Sequence, residues 1–89
     1  MKISFDKAFY KSLSKLKNPI VANQVEEVIG IVQDSRSIRE IPQIKKLQGF
    51  SNYYRIRLGD YRLGIELENS QSVRFIVITH RKDVYKYFP

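Results

Sequence analysis

The chain has 89 residues, 43% of them apolar and 12% aromatic, which is enough for one compact core and leaves no room for a second domain. It lacks cysteine, which excludes disulfides and thiolate metal sites. Sixteen lysines and arginines outnumber nine acidic residues, and the net charge of +7 favours a polyanionic partner such as nucleic acid or an acidic protein. We therefore expect a single domain over residues 1–89.

No segment of the sequence is typical of a secretion signal or a membrane anchor. Residues 1–13 carry a charged or polar side chain every two or three positions, unlike the apolar stretch of a signal peptide. No apolar run approaches the length of about 18 residues that a spanning helix needs. We expect a cytoplasmic protein that makes no contact with a membrane.

The first 35 residues predict a strand followed by two helices. KISF, residues 2–5, alternates polar and apolar side chains as a short strand does, and Asp6 is a typical helix N-cap residue. Asn18 and Pro19 end the first helix and begin the second, so the two helices should pack as an antiparallel hairpin. The apolar stripe of the first helix is Phe9, Leu13 and Leu16, and that of the second is Ile20, Val21, Val25, Val28, Ile29 and Val32.

The rest of the chain predicts β-structure. Residues 36–52 show neither a helical nor a strand periodicity of apolar residues. We expect them to form a crossover between the helices and the following strands, with a short extended piece around Ile44 to Leu47. Three runs rich in β-branched and aromatic residues follow, at Tyr53–Leu58, Tyr61–Glu68 and Ser72–Thr79. They predict an antiparallel meander whose last strand also pairs with the N-terminal strand. The fold class is therefore α+β, with a helical hairpin packed on one face of a small sheet.

The pair Gly59-Asp60 predicts a two-residue hairpin turn, because glycine readily takes the positive φ that such turns require. This turn places Arg57 directly opposite Arg62 and Arg55 opposite Gly64. Alternation then predicts a core face formed by Tyr54, Ile56, Leu58, Tyr61, Leu63, Ile65 and Leu67. The opposite face would carry Tyr53, Arg55, Arg57, Arg62, Gly64 and Glu66.

Three arginines on one face of a hairpin need an explanation, because like charges facing each other across a ladder are destabilising. A phosphate would relieve the repulsion, since arginine presents planar, bidentate donors to phosphate oxygens. Gly64 would leave a gap in this face where a ligand backbone or base could approach. The alternative is that the arginine stems only cover sheet surface while their heads lie in water or pair with Glu66 or Glu68.

Three stretches of the chain carry a family resemblance: KKLQG at residues 45–49, YRIRLGDYRLGIE at 54–66 and HRKDVY at 80–85. With them the sequence resembles the RelE/ParE superfamily of bacterial toxins. The resemblance implies a toxin of a toxin–antitoxin pair, with a cognate antitoxin as partner. In the RelE-like branch it implies a metal-independent endoribonuclease that cuts mRNA in the ribosomal A site. A homodimer or a hetero-oligomer with the antitoxin is compatible with it.

The resemblance also implies site residues. Arg55 and Arg57 stand where the best-known members have lysines, Arg62 matches the arginine of a Y-R-L motif, and Arg81 and Tyr85 match a later arginine and tyrosine. The predicted catalytic set is Arg57, Arg62, Arg81, Tyr85 and His80, and the predicted RNA-binding set is Lys46, Arg55, Tyr53 and Lys82. We expect no cofactor and no metal, because one histidine and scattered carboxylates offer no convincing ligand set.

Alternatives remain open at this point. His80 is the only side chain with an ordinary pKa near neutrality, which suits an acid or base, but a histidine at a strand end often makes a structural hydrogen bond. Tyr85, Tyr87 and Phe88 could simply pack the tail onto the sheet. A ParE-like toxin that poisons DNA gyrase would share the fold without needing a catalytic cluster. A degenerate member would only bind an antitoxin or RNA.

Overall fold

The computed structural model describes all of residues 1–89 and contains one five-stranded sheet with helices. The elements are β1 (Lys2–Phe5), α1 (Lys7–Lys15), α2 (Pro19–Asp34), β2 (Ile44–Lys46), β3 (Tyr53–Leu58), β4 (Tyr61–Asn69), β5 (Ser72–His80) and α3 (Val84–Tyr87). The strand order is β1-β5-β4-β3-β2, with β1 parallel to β5 and every other pair antiparallel. The predicted fold class, including the pairing of the first strand with the last, is confirmed.

The turn between β3 and β4 has the predicted register. Gly59 has a φ of +60°, the left-handed conformation that glycine adopts at little cost. Leu58 pairs with Tyr61 and Arg57 pairs with Arg62. Since the side-chain period of a strand is two, this pairing separates the apolar residues of the hairpin from its arginines.

The main core lies between the sheet and the two long helices. Val21, Val25, Val28 and Val32 of α2 are buried there against the inner face of the hairpin, and the seven predicted core-face residues are all buried in this cluster or packed against it. Ile20 was predicted to join the α2 stripe, and that prediction is wrong, because its side chain is 71% exposed. It precedes Val21 by one residue and therefore points about 100° away from the buried stripe.

Two polar interactions fix the ends of the helices. Asn18 caps α2 as expected, because its Oδ1 accepts hydrogen bonds from the backbone N–H groups of Ile20 and Val21 at 3.1 and 3.2 Å. Asp6 precedes α1 but makes no side-chain cap. Its carboxylate instead accepts a 2.7 Å hydrogen bond from Arg74, which ties the start of α1 to β5.

A second apolar cluster covers part of the other face of the sheet, the outer face, and confirms for Phe88 the alternative that the tail packs onto the sheet, whereas Tyr85 and Tyr87 are exposed. The short helix α3 brings Val84 and Phe88 against Leu47 and Val77, and all four side chains are buried. The ring of Phe88 lies directly over Gly64, where a Cβ atom would come within 2.7 Å of it. The expected gap at Gly64 is therefore not open to a ligand, because the chain's own tail fills it.

None of the three helices combines the length and the apolar character needed to cross a lipid bilayer.

Two glycine substitutions test the close contact under Phe88. Gly64→Ala is expected to destabilise the fold by about 1–3 kcal/mol, because the added methyl group displaces the ring of Phe88. Gly30→Ala is the matched control, since a Cβ at that position in α2 meets no atom within 4 Å. It should instead stabilise the helix by about 0.5–1 kcal/mol. Urea unfolding of both variants measures the difference, and equal effects would contradict the packing described.

Candidate nucleic-acid interface

The arginines of β3 and β4 lie together on the outer face near the Gly59–Asp60 turn. Arg57 is exposed and Arg62, directly across the ladder, is half-buried. Arg81 follows the end of β5, and its backbone N–H donates a 2.8 Å hydrogen bond to the carbonyl oxygen of Asp60. The turn therefore draws the residue after β5 to the same end of the sheet as the two strand arginines.

The electrostatics of Arg62 report how closely these guanidinium groups converge. Burial lowers the pKa of Arg62 below its ordinary value, and the positive charges of Arg55, Arg57 and Arg81 lower this pKa further, while Asp60 raises it. A base whose pKa falls on folding destabilises the folded state at every pH below that pKa. Since arginine stays protonated across the accessible pH range, this cost is present throughout, and a bound anion would relieve it.

The cost is not offset by acidic side chains, because Arg55, Arg57 and Arg62 form no ion pair with any carboxylate in the structure. Arg62 Nη1 donates hydrogen bonds to the backbone oxygens of Gly59 and Tyr61, at 2.7 and 2.9 Å. Arg81 lies 3.8 Å from the Asp60 carboxylate, and because both side chains are exposed this contact contributes little.

The two carboxylates that could have paired with the strand arginines are engaged elsewhere. Glu66 accepts hydrogen bonds from Arg74 at 2.6 Å and from Asn52 at 2.9 Å. The bond to Glu66 is the main cause of a raised pKa for Arg74. Glu68 contacts the hydroxyl of Ser4 at 3.4 Å. The alternative in which Glu66 or Glu68 neutralises the arginines is therefore wrong.

A groove on the outer face continues the cationic surface away from the turn. It has a volume of about 520 Å³, and Arg55, Lys45 and Tyr85 lie along it beside Phe88. Tyr85 stands on α3 with 73% of its side chain exposed. The surface formed by Arg55, Arg57, Arg62, Arg81, Lys45 and Tyr85 is called the arginine face below.

Lys45 was missed by the sequence analysis, which chose Lys46. In the β2–β3 register Lys45 pairs with Arg55 and therefore shares its face, whereas Lys46 pairs with Tyr54; both lysines are exposed and line the groove. The extended piece predicted at residues 44–47 already contains both lysines. Only the register of β2 against β3, which depends on tertiary pairing, distinguishes the two lysines.

Of the remaining predicted site residues, Lys82 is exposed one position after Arg81, whereas His80 and Tyr53 are engaged in packing. His80 pairs with Tyr61, and the two rings pack edge to face at 5.5 Å on the helix side of the sheet. Its Nδ1 accepts a hydrogen bond from the backbone N–H of Lys82 at 3.2 Å, the structural role considered above. Tyr53 does lie on the outer face, but it packs edge to face between Phe50 and Phe88.

No group of three or more histidine, aspartate and glutamate side chains is arranged to hold a metal ion.

Comparison with known proteins identifies the family. The family model described as the ParE toxin of type II toxin–antitoxin systems, parDE, matches residues 3–85. Toxin RelE3 of Methanocaldococcus jannaschii is 41% identical to the chain over 90 residues, covering 100% of both sequences. The chain belongs to the RelE/ParE toxin family.

Solved structures of this family have the same fold. The toxin in the crystal structure of a RelB–RelE antitoxin–toxin complex from Methanococcus jannaschii superposes with a TM-score of 0.78 at 39% identity, covering 97% of this chain and 99% of that one. The isolated Escherichia coli RelE toxin gives a TM-score of 0.65 at 24% identity, covering 96% and 90%, and shows the shared fold alone. The predicted family resemblance is confirmed, and the chain is a RelE-type toxin of a toxin–antitoxin system.

Repulsion among the unpaired arginines should lower the free energy of unfolding of this toxin. Salt should reduce this loss, because it screens the repulsion. Arg57→Gln is expected to raise the free energy of unfolding by about 0.5 kcal/mol at low ionic strength, because it removes the charge facing Arg62. The gain should shrink in high salt, which screens the repulsion. Urea unfolding at two salt concentrations measures it, with Arg39→Gln, a change of the same charge at another exposed position, as the control. A gain that does not depend on salt would assign the effect to packing.

Proposed function

We propose that this toxin is a ribosome-dependent endoribonuclease that cuts mRNA in the A site at its arginine face. The observation that carries the proposal is the convergence of four guanidinium groups, from Arg55, Arg57, Arg62 and Arg81, on a surface where no carboxylate neutralises the three strand arginines. Such a surface is destabilising in the free protein and suits a phosphodiester. Family membership and the similarity to RelE toxins support the same activity.

The reaction that fits this surface is attack by the RNA itself. The 2′-oxygen forms a bond to the adjacent phosphorus, the bond from phosphorus to the 5′-oxygen breaks, and the products are a 2′,3′-cyclic phosphate and a 5′-hydroxyl. The protein must hold the attacking and leaving oxygens in line and stabilise the extra negative charge on the phosphoryl oxygens. We assign this stabilisation to Arg57, Arg62 and Arg81.

The flanking residues would hold the RNA on either side of the cut. Arg55 and Lys45 pair across β2 and β3 and would contact neighbouring phosphates. Tyr85 is exposed beside the same groove, so its ring is free to stack on a base next to the scissile bond. Stacking of this kind would fix the nucleotide while the arginines hold its phosphate.

Two protons must move in this reaction, one leaving the 2′-hydroxyl and one reaching the 5′-oxygen. Arginine is a poor general base because it is effectively always protonated. His80 lies on the helix side of the sheet with its Nδ1 engaged by Lys82, so it does not reach the arginine face in this conformation. We assign Tyr85, whose phenol carries a proton, to protonate the departing 5′-oxygen, while the proton of the 2′-hydroxyl passes to water.

An antitoxin is the expected protein partner of the chain. Similar toxins have been crystallised with RelB antitoxins, in the complexes from Methanococcus jannaschii and Pyrococcus horikoshii. The unpaired cations of the arginine face suit an acidic or amphipathic segment that becomes ordered as it wraps around the toxin. Binding there would block RNA and relieve the same electrostatic repulsion.

A second candidate function is poisoning of DNA gyrase without nuclease activity. The observation that favours it is the family model, which describes a ParE toxin and covers residues 3–85. The convergent guanidinium groups, which a gyrase-binding toxin does not need, favour the nuclease.

One assay separates the two functions. A defined message is translated in vitro with and without the protein, and its 5′ ends are mapped by primer extension. Codon-positioned cuts are expected from the unmodified protein. Arg62→Ala should lower the cutting rate about 100-fold, because it removes a donor to the developing charge. Tyr85→Ala should lower this rate about 100-fold or more, through loss of both the proton donor and base stacking.

Arg39→Ala is the matched control for these variants, since Arg39 is exposed, forms no ion pair and lies outside the arginine face. It should cut at the normal rate. An intact message together with gyrase-linked DNA breaks would establish the alternative function. Cutting that survives both Arg62→Ala and Tyr85→Ala would overturn the site assignment while leaving the activity itself intact.

A further inference from the structure

A second cationic groove lies between α1 and the C-terminal end of β5, where residues from both faces of that strand line it. Its volume is about 510 Å³. Three lysines, Lys11, Lys15 and Lys17, line one wall of this groove, and His80 with two tyrosines lines the other. We call it the α1 groove. It shares no residue with the arginine face.

The lysines of the α1 groove are exposed, and none of the three forms an ion pair. Lys11 and Lys15 are four residues apart on α1, a spacing at which like charges destabilise a helix. The only carboxylate of the groove belongs to Asp83, which already pairs with Lys86 at 3.2 Å. The groove therefore resembles the arginine face in having exposed positive side chains without acidic partners.

Aromatic rings lie opposite these charges. Tyr61 and His80 pack edge to face at 5.5 Å, and Tyr87 is 65% exposed on α3. The α1 wall is fixed against the sheet, because Ser12 Oγ accepts a 3.0 Å hydrogen bond from the backbone N–H of Ile78. A rigid groove that combines unpaired lysines with accessible rings is the arrangement with which proteins hold single-stranded nucleic acid.

The apolar side chains of the groove do not suit a peptide partner. Val77 and Ile78 are buried and Leu16 is half-buried, so they offer no protruding anchor, and Ala8 carries only a methyl group. The exposed aliphatic side chains that an amphipathic segment would cover, Ile20 and Ile31, lie on α2 and do not line the groove. The groove thus complements phosphates and bases better than it complements the apolar face of a helix.

We propose that the α1 groove binds a single-stranded RNA segment, separate from the segment at the arginine face. The lysines contact its phosphates, and Tyr87 with the Tyr61–His80 pair contacts its bases. The protein then holds two RNA segments on two separate surfaces. This site goes beyond the proposed nuclease function and does not require that the chain cuts RNA.

The single histidine allows the groove to be observed directly. His80 is the only histidine of the chain, so one imidazole Hε1 signal in the proton NMR spectrum reports on the groove. The experiment titrates decauridylate into the Arg57→Ala/Arg62→Ala protein, which lacks two of the guanidinium groups of the other face. A saturable shift of the His80 signal is expected. Binding of decauridylate without such a shift would overturn the proposal.

Variants of the groove give the second readout, measured as decauridylate affinity against salt concentration in the same background. Lys11→Gln/Lys15→Gln should reduce the slope of log K against log salt by about 1.4, because two phosphate contacts to a single strand are lost. Tyr87→Ala should weaken binding about tenfold, and Tyr87→Phe should retain it, because stacking needs only the ring.

Arg36→Gln/Arg39→Gln is the matched control, since it removes two exposed, unpaired positive charges outside the groove. It should leave the His80 shift unchanged. An equal loss of affinity in this control would overturn the proposal by assigning the binding to net charge. If the groove variants kept full RNA binding but lost binding of the antitoxin, the groove would be a protein-binding surface and the proposal would be wrong.

The nuclease function and the α1 groove as an RNA site can be refuted independently of each other. If the unmodified protein cuts mRNA but the Arg57→Ala/Arg62→Ala protein shows no His80 shift with decauridylate, only the α1 groove is removed as an RNA site. If that variant shows the shift but the unmodified protein does not cut mRNA, only the nuclease function is removed.

Discussion

The two-residue turn at Gly59 and Asp60 is the constraint on which the rest of the structure depends. Its length fixes the pairing of β3 with β4, and a slip of one residue would exchange the core face for the arginine face. The backbone oxygens of the turn also accept hydrogen bonds from Arg62 and from the N–H of Arg81. The same two residues therefore set the register and gather the guanidinium groups.

A surface of unpaired like charges can persist only if other parts of the fold stabilise it. The valine stripe of α2 and the inner face of the hairpin form a core that does not involve the arginines. Arg74 has a carboxylate on each side, from Asp6 and Glu66, and joins α1 to the sheet. Most of the stabilising contacts thus lie away from the arginine face, which is left free to carry repulsion that a polyanion would relieve.

Residues that are adjacent in the sequence belong to two separate cationic surfaces in the structure. Arg81 and His80 are adjacent in the chain, yet Arg81 belongs to the arginine face and His80 faces the α1 groove. The short helix α3 that follows presents Tyr85 toward one surface and Tyr87 toward the other. This small basic toxin therefore presents two separate cationic surfaces, with an exposed tyrosine at each.

The sequence by itself determined the strands, the two long helices and the register of the hairpin, because local periodicity and a glycine-containing turn specify them. It also identified the arginines of β3 and β4 and the family. Only the tertiary structure decided which of Lys45 and Lys46 shares a face with Arg55, since a three-residue edge strand carries too short a pattern to fix its own register. Packing of the tail likewise closed the gap at Gly64 with Phe88, and the end of β5 turned His80 away from the arginines. These are contacts between residues distant in the chain, and no local pattern encodes them.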